Sequence, residues 1–217
     1  MNCGYPTKYS DRLGVEVTEL HNDGAKLSVR LRGVLFSGRD FDRLEPEPDC
    51  APELLRQFTF ASGSLSACEL VCRMPIPVVL GADTGSGELE IHLELGSQKP
   101  NGALDRELVS LMLDIRGQTF HSAGTSGWVE DELLSLQATL PIGMYLKACI
   151  NCSHSDYSPY GHGSFGWMAC FRNFKAEYAN VRDKHDLFPI LDKADLVQET
   201  YLCPDFEKRL PNTGYRR

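Results

Sequence analysis

Between Glu88 and Leu95 the chain alternates without a break: Leu89, Ile91, Leu93 and Leu95 against Glu88, Glu90, His92 and Glu94. A period of two puts all four apolar side chains on one face of a strand and the polar ones on the other. Residues 25–32 repeat the pattern, with Leu27, Val29 and Leu31 against Lys26, Ser28, Arg30 and Arg32. Rougher versions run through 14–20, 56–61, 65–74, 76–80 and 106–115. Turn chemistry separates them at Asn22-Asp23-Gly24, at 81–85 (GADTG) and at Pro100-Asn101-Gly102. Short strands with one polar face each predict antiparallel pairing, in a sandwich or a curled half-barrel.

After residue 125 the period changes. Val129, Leu133, Leu136 and Leu140 form one helical stripe, with Ser126 as the predicted N-cap and Pro141 as the stop. Glu130, Asp131 and Glu132 read as a solvated first turn that complements the helix dipole. Successive helical positions diverge by about 100°, so the three carboxylates cannot share a site. A short strand over 144–148 follows. Phe171, Phe174, Tyr178 and Val181 then predict a second helix from 170 to 184, before a loop-rich tail anchored by Leu187, Phe188, Ile190 and Leu191. The expected fold class is α+β: a β-rich body over 1–125, and a helix with a small Cys-rich α lobe over 126–217, packed together as one unit.

Charge narrows the partners. The chain has 30 acidic and 22 basic residues, a formal net charge of −8. From Cys170 onward nine basic and eight acidic residues nearly cancel, so the excess lies on the body. An acidic body argues against nucleic acid, whose binding rests on basic contacts to phosphate. No apolar run approaches the roughly 20 residues that span a bilayer. MNCGYPTKYSDRLG has no apolar leader core. A cytoplasmic protein is therefore expected, with its eight cysteines reduced.

Reduced cysteines are core residues or metal ligands before they are disulfides. Cys68 and Cys72, four positions apart in a predicted strand, face the same side about 13 Å apart. That is too far for a shared ion or a disulfide, and predicts core packing. Cys3 and Cys50 have no partner pattern. Cys149 and Cys152 form a C-x2-C pair, the recurring half-site of structural zinc. Cys170 and Cys203 are the candidate remaining ligands, with Cys170 placed by the predicted helix start, where the dipole favours thiolate. Three alternatives stay open: His154 or His162 replacing one cysteine, buried bystander thiols, or a Cys149/Cys152 redox pair.

The stretch between these cysteines holds further chemistry. Asp156, Ser158 and His162 are residue types of a nucleophilic triad, but proximity in one loop is no evidence of triad geometry. Gly161 and Gly163 fit no phosphate-loop motif. The loop reads as compact, with Tyr157, Tyr160 and Phe165 wedged into the core and Trp128 and Trp167 packing core or inter-lobe contacts. The sharper alternative is a ligand or partner loop built from His154, Asp156, Tyr157, Ser158, Tyr160, His162 and Arg172.

The stretches "ACINCSHSDYSPYGHGSFGWMACFRNFKAEYANVRDKHD" and "VQETYLCPDFEKRLPNTGYRR" resemble a bacterial family of uncharacterised proteins, domain-of-unknown-function family 6304. "YSDRLGVEVTELHNDGAKLSVRLRGVLFSGRDFDRLEP" and "GWVEDELLSLQATLP" extend the resemblance over nearly the whole chain. It implies shared cysteines matching Cys149, Cys152, Cys170 and Cys203, with His154 variable, and carries no activity.

Residues and resemblance together favour a non-enzymatic cytoplasmic protein with a structural Zn2+ on four cysteines, acting on another protein as an immunity-like, antitoxin-like or adaptor module. The alternatives are a hydrolase or transferase using loop 154–166, with Arg172 or Lys175 binding anions, and a thiol redox protein.

Overall fold

A computed structural model describes residues 3–161 and 163–215 of the chain. In chain order its strands are β1 (Cys3–Asp11), β2 (Gly14–Asn22), β3 (Leu27–Leu31), β4 (Val34–Gly38), β5 (Glu45–Pro46), β6 (Thr59–Ala61), β7 (Ser64–Ser66) and β8 (Cys68–Leu80). There follow β9 (Asp83–Leu95), β10 (Glu107–Ile115), β11 (Gln118–His121), β12 (Met144–Leu146), β13 (Ser155–Asp156), β14 (Met168–Cys170) and β15 (Asp195–Val197). The α-helices are α1 (Pro52–Leu55), α2 (Val129–Thr139), α3 (Lys175–Tyr178) and α4 (Lys184–Leu187).

Among the described residues ten strands make one antiparallel sheet, in the order β11-β10-β9-β8-β1-β2-β3-β4-β5, with β12 also on β8. A second sheet, β13-β14-β15, and a hairpin, β6-β7, complete the strands. The alternation read over 88–95 extends back to Asp83, because β9 pairs with β8 along its whole length. Its apolar face (Leu89, Ile91, Leu93, Leu95) is buried beside Leu70, Cys72, Met74, Ile76 and Val78 of β8. Each such side chain contributes about 1.5–3 kcal/mol by leaving water. Cys68 and Cys72 are core residues, as the strand reading expects.

The runs 65–74 and 76–80 are one strand. Thr7–Asp11 of β1 takes one edge of β8 at 68–72, and β12 takes the same edge at 78–80. Pro75 falls in the gap between them, where a missing N–H leaves no ladder bond broken. Strand β1 lies outside the sequence-based reading yet sits centrally, pairing with β2 on one side and β8 on the other.

Helix α2 packs on β10 and β11, burying Val129, Leu133 and Leu136. Its N-cap is Trp128 rather than Ser126. Ser126 acts one step earlier: its hydroxyl accepts from Trp128 N–H (3.0 Å) and donates to Asp131 (2.8 Å). Glu132 corrects the picture of a solvated acidic turn. It is 1% exposed, and its carboxylate accepts the N–H groups of Gly124 (2.7 Å), Thr125 (2.9 Å) and Ser126 (2.9 Å). The orphan donors of the preceding loop thus take the charge that the helix start would otherwise present to water.

The helix expected over 170–184 is not formed. Residues 168–170 are strand β14, paired to β13 and β15, and only Lys175–Tyr178 is α-helical before Asn180. Phe171 and Tyr178 nevertheless stack (4.7 Å, 6°), in a small cluster with Ala169, Val181 and Leu187. The apolar periodicity therefore reflects burial across a strand end and a short helix. Leu146, Cys149, Phe165, Cys170 and Cys203 belong to the same apolar core as the large sheet. Asn22 of β2 and Gln198 exchange two buried amide bonds, 2.8 and 2.9 Å.

Arg32 holds the open end of the body. It has positive φ (45°) in the β3–β4 turn, a conformation that disfavours non-glycine residues. Its guanidinium makes two 2.7 Å bonds to Asp11 and lies 5.5 Å above the rings of both Tyr9 and Phe58. The bond from Arg32 holds the Asp11 carboxyl below its ordinary 3.8. A depressed carboxyl stabilises the fold above its unfolded value, and that stabilisation is lost as pH falls through the lower folded value. Asp11→Asn is expected to cost about 3 kcal/mol at neutral pH, as for breaking a largely buried pair. It should also flatten the fall in stability below about pH 4, where an unpaired aspartate would titrate. Urea unfolding of both proteins between acid and neutral pH measures this, and an unchanged acid slope would remove Asp11 as its source.

Candidate functional site

Four segments bring the lobe's cysteines together. After β12, residues Cys149–Asn151 form a 3₁₀ turn closed by the Cys152 N–H on Cys149 O (3.0 Å). Cys149 N–H and Ile150 N–H donate to the carbonyls of Tyr201 (3.1 Å) and Glu199 (2.9 Å), which draws in the segment bearing Cys203. Pairing of Ser155 with Cys170 brings the end of β14 alongside. Cys149, Cys152, Cys170 and Cys203 are all buried and all free thiols.

The backbone around them is arranged for sulfur that carries charge. The N–H groups of Glu207 and His154 lie near the Cys152 sulfur and favour its charged form, as that of Arg172 does for Cys170. In both Cys152–His154 and Cys170–Arg172 the N–H two residues on has this effect. The Arg172 guanidinium reaches the Cys203 sulfur, Tyr201 Oη (3.5 Å) and Asp195 (3.1 Å). Cys149 and Cys170 act on each other most strongly: the neighbouring Cys170 sulfur, then burial, raises the Cys149 thiol far above its usual range. The same pairing, with the Arg172 N–H and the guanidinium charge, lowers Cys170 to about 6. Cys170 therefore owes its thiolate character to neighbours at a strand end and not to a helix dipole. Among the described residues, no group of three or more His, Cys, Asp or Glu side chains is placed so that it could hold a metal ion, the four cysteines included.

The intervening loop uses its polar groups internally. His154 Nε2 lies 3.1 Å from Glu207, which Lys175 also approaches (2.9 Å). Asp156 is 0% exposed; it accepts Tyr178 Oη–H (2.8 Å) and Tyr215 N–H (2.7 Å), with the Arg209 guanidinium at 3.4 Å. Ser158 accepts the Tyr160 N–H (3.2 Å) in a surface turn, so Asp156 and Ser158 serve different contacts. His162 lies outside the described residues. Tyr157 and Phe165 are buried, whereas Tyr160 is 78% exposed and stacks on Phe188 at 4.7 Å, correcting the expectation of a core ring. Trp128 is likewise 41% exposed at the start of α2. Trp167 is half-buried, bonded to Asp40 through Nε1 (3.1 Å).

Two acids of this region escape a sequence reading. Asp40 and Glu199 are both fully buried. Glu199 accepts Gly166 N–H (2.7 Å) and Tyr157 Oη–H (3.1 Å), and burial pushes its carboxyl up to about 7. Their neighbours in sequence, FSGRDFDR and DLVQETY, give no sign of it.

The sequence profile of a family described as "Family of unknown function (DUF6304)" matches residues 4–155. The chain belongs to the DUF6304 family. The matched span takes in the large sheet, α2, Cys149 and Cys152; Cys170 and Cys203 lie beyond it. No curated protein and no solved structure matches the chain.

Glu199 gives this DUF6304 lobe a pH dependence whose sign follows from its surroundings. Folding favours its protonated form, so its contribution is full below the ordinary value of 4.5 and is lost as pH rises through about 7. Glu199→Gln copies the protonated acid. Its unfolding free energy is expected to gain on the wild type between pH 5 and about pH 7, by about 1 kcal/mol or more per unit of raised pKa, and to hold that lead above. Parallel pH profiles of stability for the two proteins would show that Glu199 titrates normally.

Proposed function

We propose that this DUF6304 protein is a non-catalytic protein-binding module whose C-terminal lobe is clipped by a structural zinc ion on Cys149, Cys152, Cys170 and Cys203. One observation carries the reading: backbone N–H groups near two of the four cysteine sulfurs, and the Arg172 guanidinium near a third, favour negative charge there. A neutral thiol is a weak acceptor, so three donor sets beside sulfur suit thiolates. Burying several thiolates without a counter-charge is prohibitive, and a zinc ion is the counter-charge such sets ordinarily serve. Zinc binding would take the protons from these thiols and replace the Cys149–Cys170 contact with two metal–sulfur bonds.

Four thiolates leave no open position for water, so the ion would be architectural. The loop 154–166 supports the same conclusion, since Asp156 and Tyr157 are committed to internal bonds. With Asp156 and Tyr157 used internally and four thiolates filling the metal's positions, the reading places the protein's action on its surface. The acidic body makes a protein partner with a basic face the natural complement, in a reducing compartment that keeps the thiols free. The Cys149–Cys170 contact favours a second reading, a dithiol–disulfide couple between these two rather than between Cys149 and Cys152.

Elemental analysis of protein purified under reduction without added metal is expected to find about one zinc per chain. Cys149→Ser and Cys203→Ser should lose the ion and melt at lower temperature, while Cys50→Ser keeps both. Metal-free, fully reduced protein whose melting temperature ignores zinc and chelator would overturn the clip. A Cys149–Cys170 disulfide mapped by mass spectrometry in that same protein would establish the redox reading instead.

A further inference from the structure

A cleft of about 450 Å³ opens where the turn Phe41–Arg43, the β6–β7 hairpin, the segment 102–104 and the start of β10 meet. Asp42, Arg43, Glu45, Ser62, Ser64 and Glu107 supply its polar wall. The turn is tightly held, because a Cβ on Gly38 would stand 1.9 Å from the Arg43 carbonyl oxygen. Asp40 lies behind the wall, 0% exposed, accepting Ser164 Oγ–H (2.5 Å) and Trp167 Nε1–H (3.1 Å). Asp42 lies close enough to feel its charge and is 3.4 Å from the same Ser164 hydroxyl.

Several of these groups are unsatisfied from within. Ser64 is 7% exposed, lines the cleft, and its hydroxyl makes no hydrogen bond among the described residues. The half-buried Glu107 carboxylate accepts none either, and burial followed by the charge of Asp40 raises it above its ordinary value. Burial and Asp40 push Asp42 up to about 7. The one cation of the wall, Arg43, sits 6.0 Å over the Trp167 ring. Glu45 and Glu107, with Asp42 partly ionised at neutral pH, outweigh one guanidinium and leave the cleft negative, and Leu65 and Leu104 give it an apolar side. The volume is in the lower range of small-molecule sites. A metal ion is the weaker fit, since no three of these acids are gathered to ligate one.

We propose that this cleft binds a protonated alkylamine, with Glu107 and Asp42 facing the ammonium, Ser64 Oγ accepting one of its protons, and the apolar side taking the methylenes. The chemistry is shared by a free diamine and by a lysine side chain of another protein.

The test follows the Ser64, Leu65 and Glu107 amides by NMR at neutral pH in about 0.15 M salt. The probes are 1,4-diaminobutane, N-acetyl-lysine-N′-methylamide and the uncharged 1,4-butanediol. A saturable shift with a Kd of about 1 mM or tighter is expected for at least one amine and none for the diol; the tighter amine identifies the source. Glu107→Gln should weaken binding about tenfold, the effect of one lost charge-assisted bond. Glu88→Gln, on the outer face of β9, should leave it unchanged. Should Glu107→Gln lose its native spectrum, Glu45→Gln on the exposed rim serves as the second variant. Absence of saturation, equal shifts with the diol, or full binding by folded variants of both carboxyls would each overturn the proposal.

Discussion

Strand β8 is held from both edges, and the remaining architecture follows from how that is done. Strand β9 covers one edge along all thirteen residues. The other edge is divided between β1, from the chain's beginning, and β12, from beyond α2. Because side chains alternate strictly along a strand, this double pairing leaves only one way to bury Leu70, Cys72, Met74, Ile76 and Val78 together. That face belongs to one buried cluster, which also takes in Val129, Leu133 and Leu136 of α2 and Cys149, Phe165, Cys170 and Cys203 of the lobe. The lobe is therefore part of the body's core, which places its cysteines in dry surroundings.

Dry surroundings set the terms for everything polar in the lobe. Asp156, Glu199, Asp40 and Glu132 are all buried carboxyls, and each is met by backbone N–H or hydroxyl donors. Their answers differ. Glu132 has enough donors to remain a carboxylate at low pH, as its lowered value reflects once the bonds outweigh burial. Glu199 also has three, from Gly166, Tyr157 and a longer one from Trp167 (3.5 Å), yet there burial wins. The same balance separates Cys149 from Cys170, where the sulfur with fewer donors keeps its proton.

Regular alternation was legible in the sequence because it records one-sided burial directly. The residues 27–31, 89–95 and 107–115 are strands where the period of two says so. Strand β1 was not legible: CGYPTKYSD turns Thr7 and Tyr9 inward and carries a proline, so its apolar signal is faint, and long-range pairing on both edges supplies what composition does not. The false helix at 170–184 has a related cause. Phe171, Tyr178 and Val181 are buried in one cluster, but a strand end and a short helix deliver them there at spacings that mimic a helical face. The C-x2-C pair, and Cys170 and Cys203 as further buried cysteines of the lobe, could be picked out from residue type. The donors near their sulfurs, and the pairing of Asp156 with Tyr178 and Arg209, could not, since backbone directions and contacts over twenty or more residues leave no local trace.

The divided edge of β8 also bears on how the molecule is made. A chain emerging from the ribosome displays residues 68–80 long before 144–146 exist, so the Val78–Leu80 edge stands open during synthesis. An unpaired edge beside apolar residues is a template for pairing with another nascent chain. Pro75 and Pro77, both between the last residue paired with β1 and the first paired with β12, interrupt the row of N–H donors at that moment. They weaken β8 as a partner for strangers while leaving the native ladder to β9 intact along its length. Two prolines that look like flaws in a strand thus act as its protection until the rest of the chain arrives.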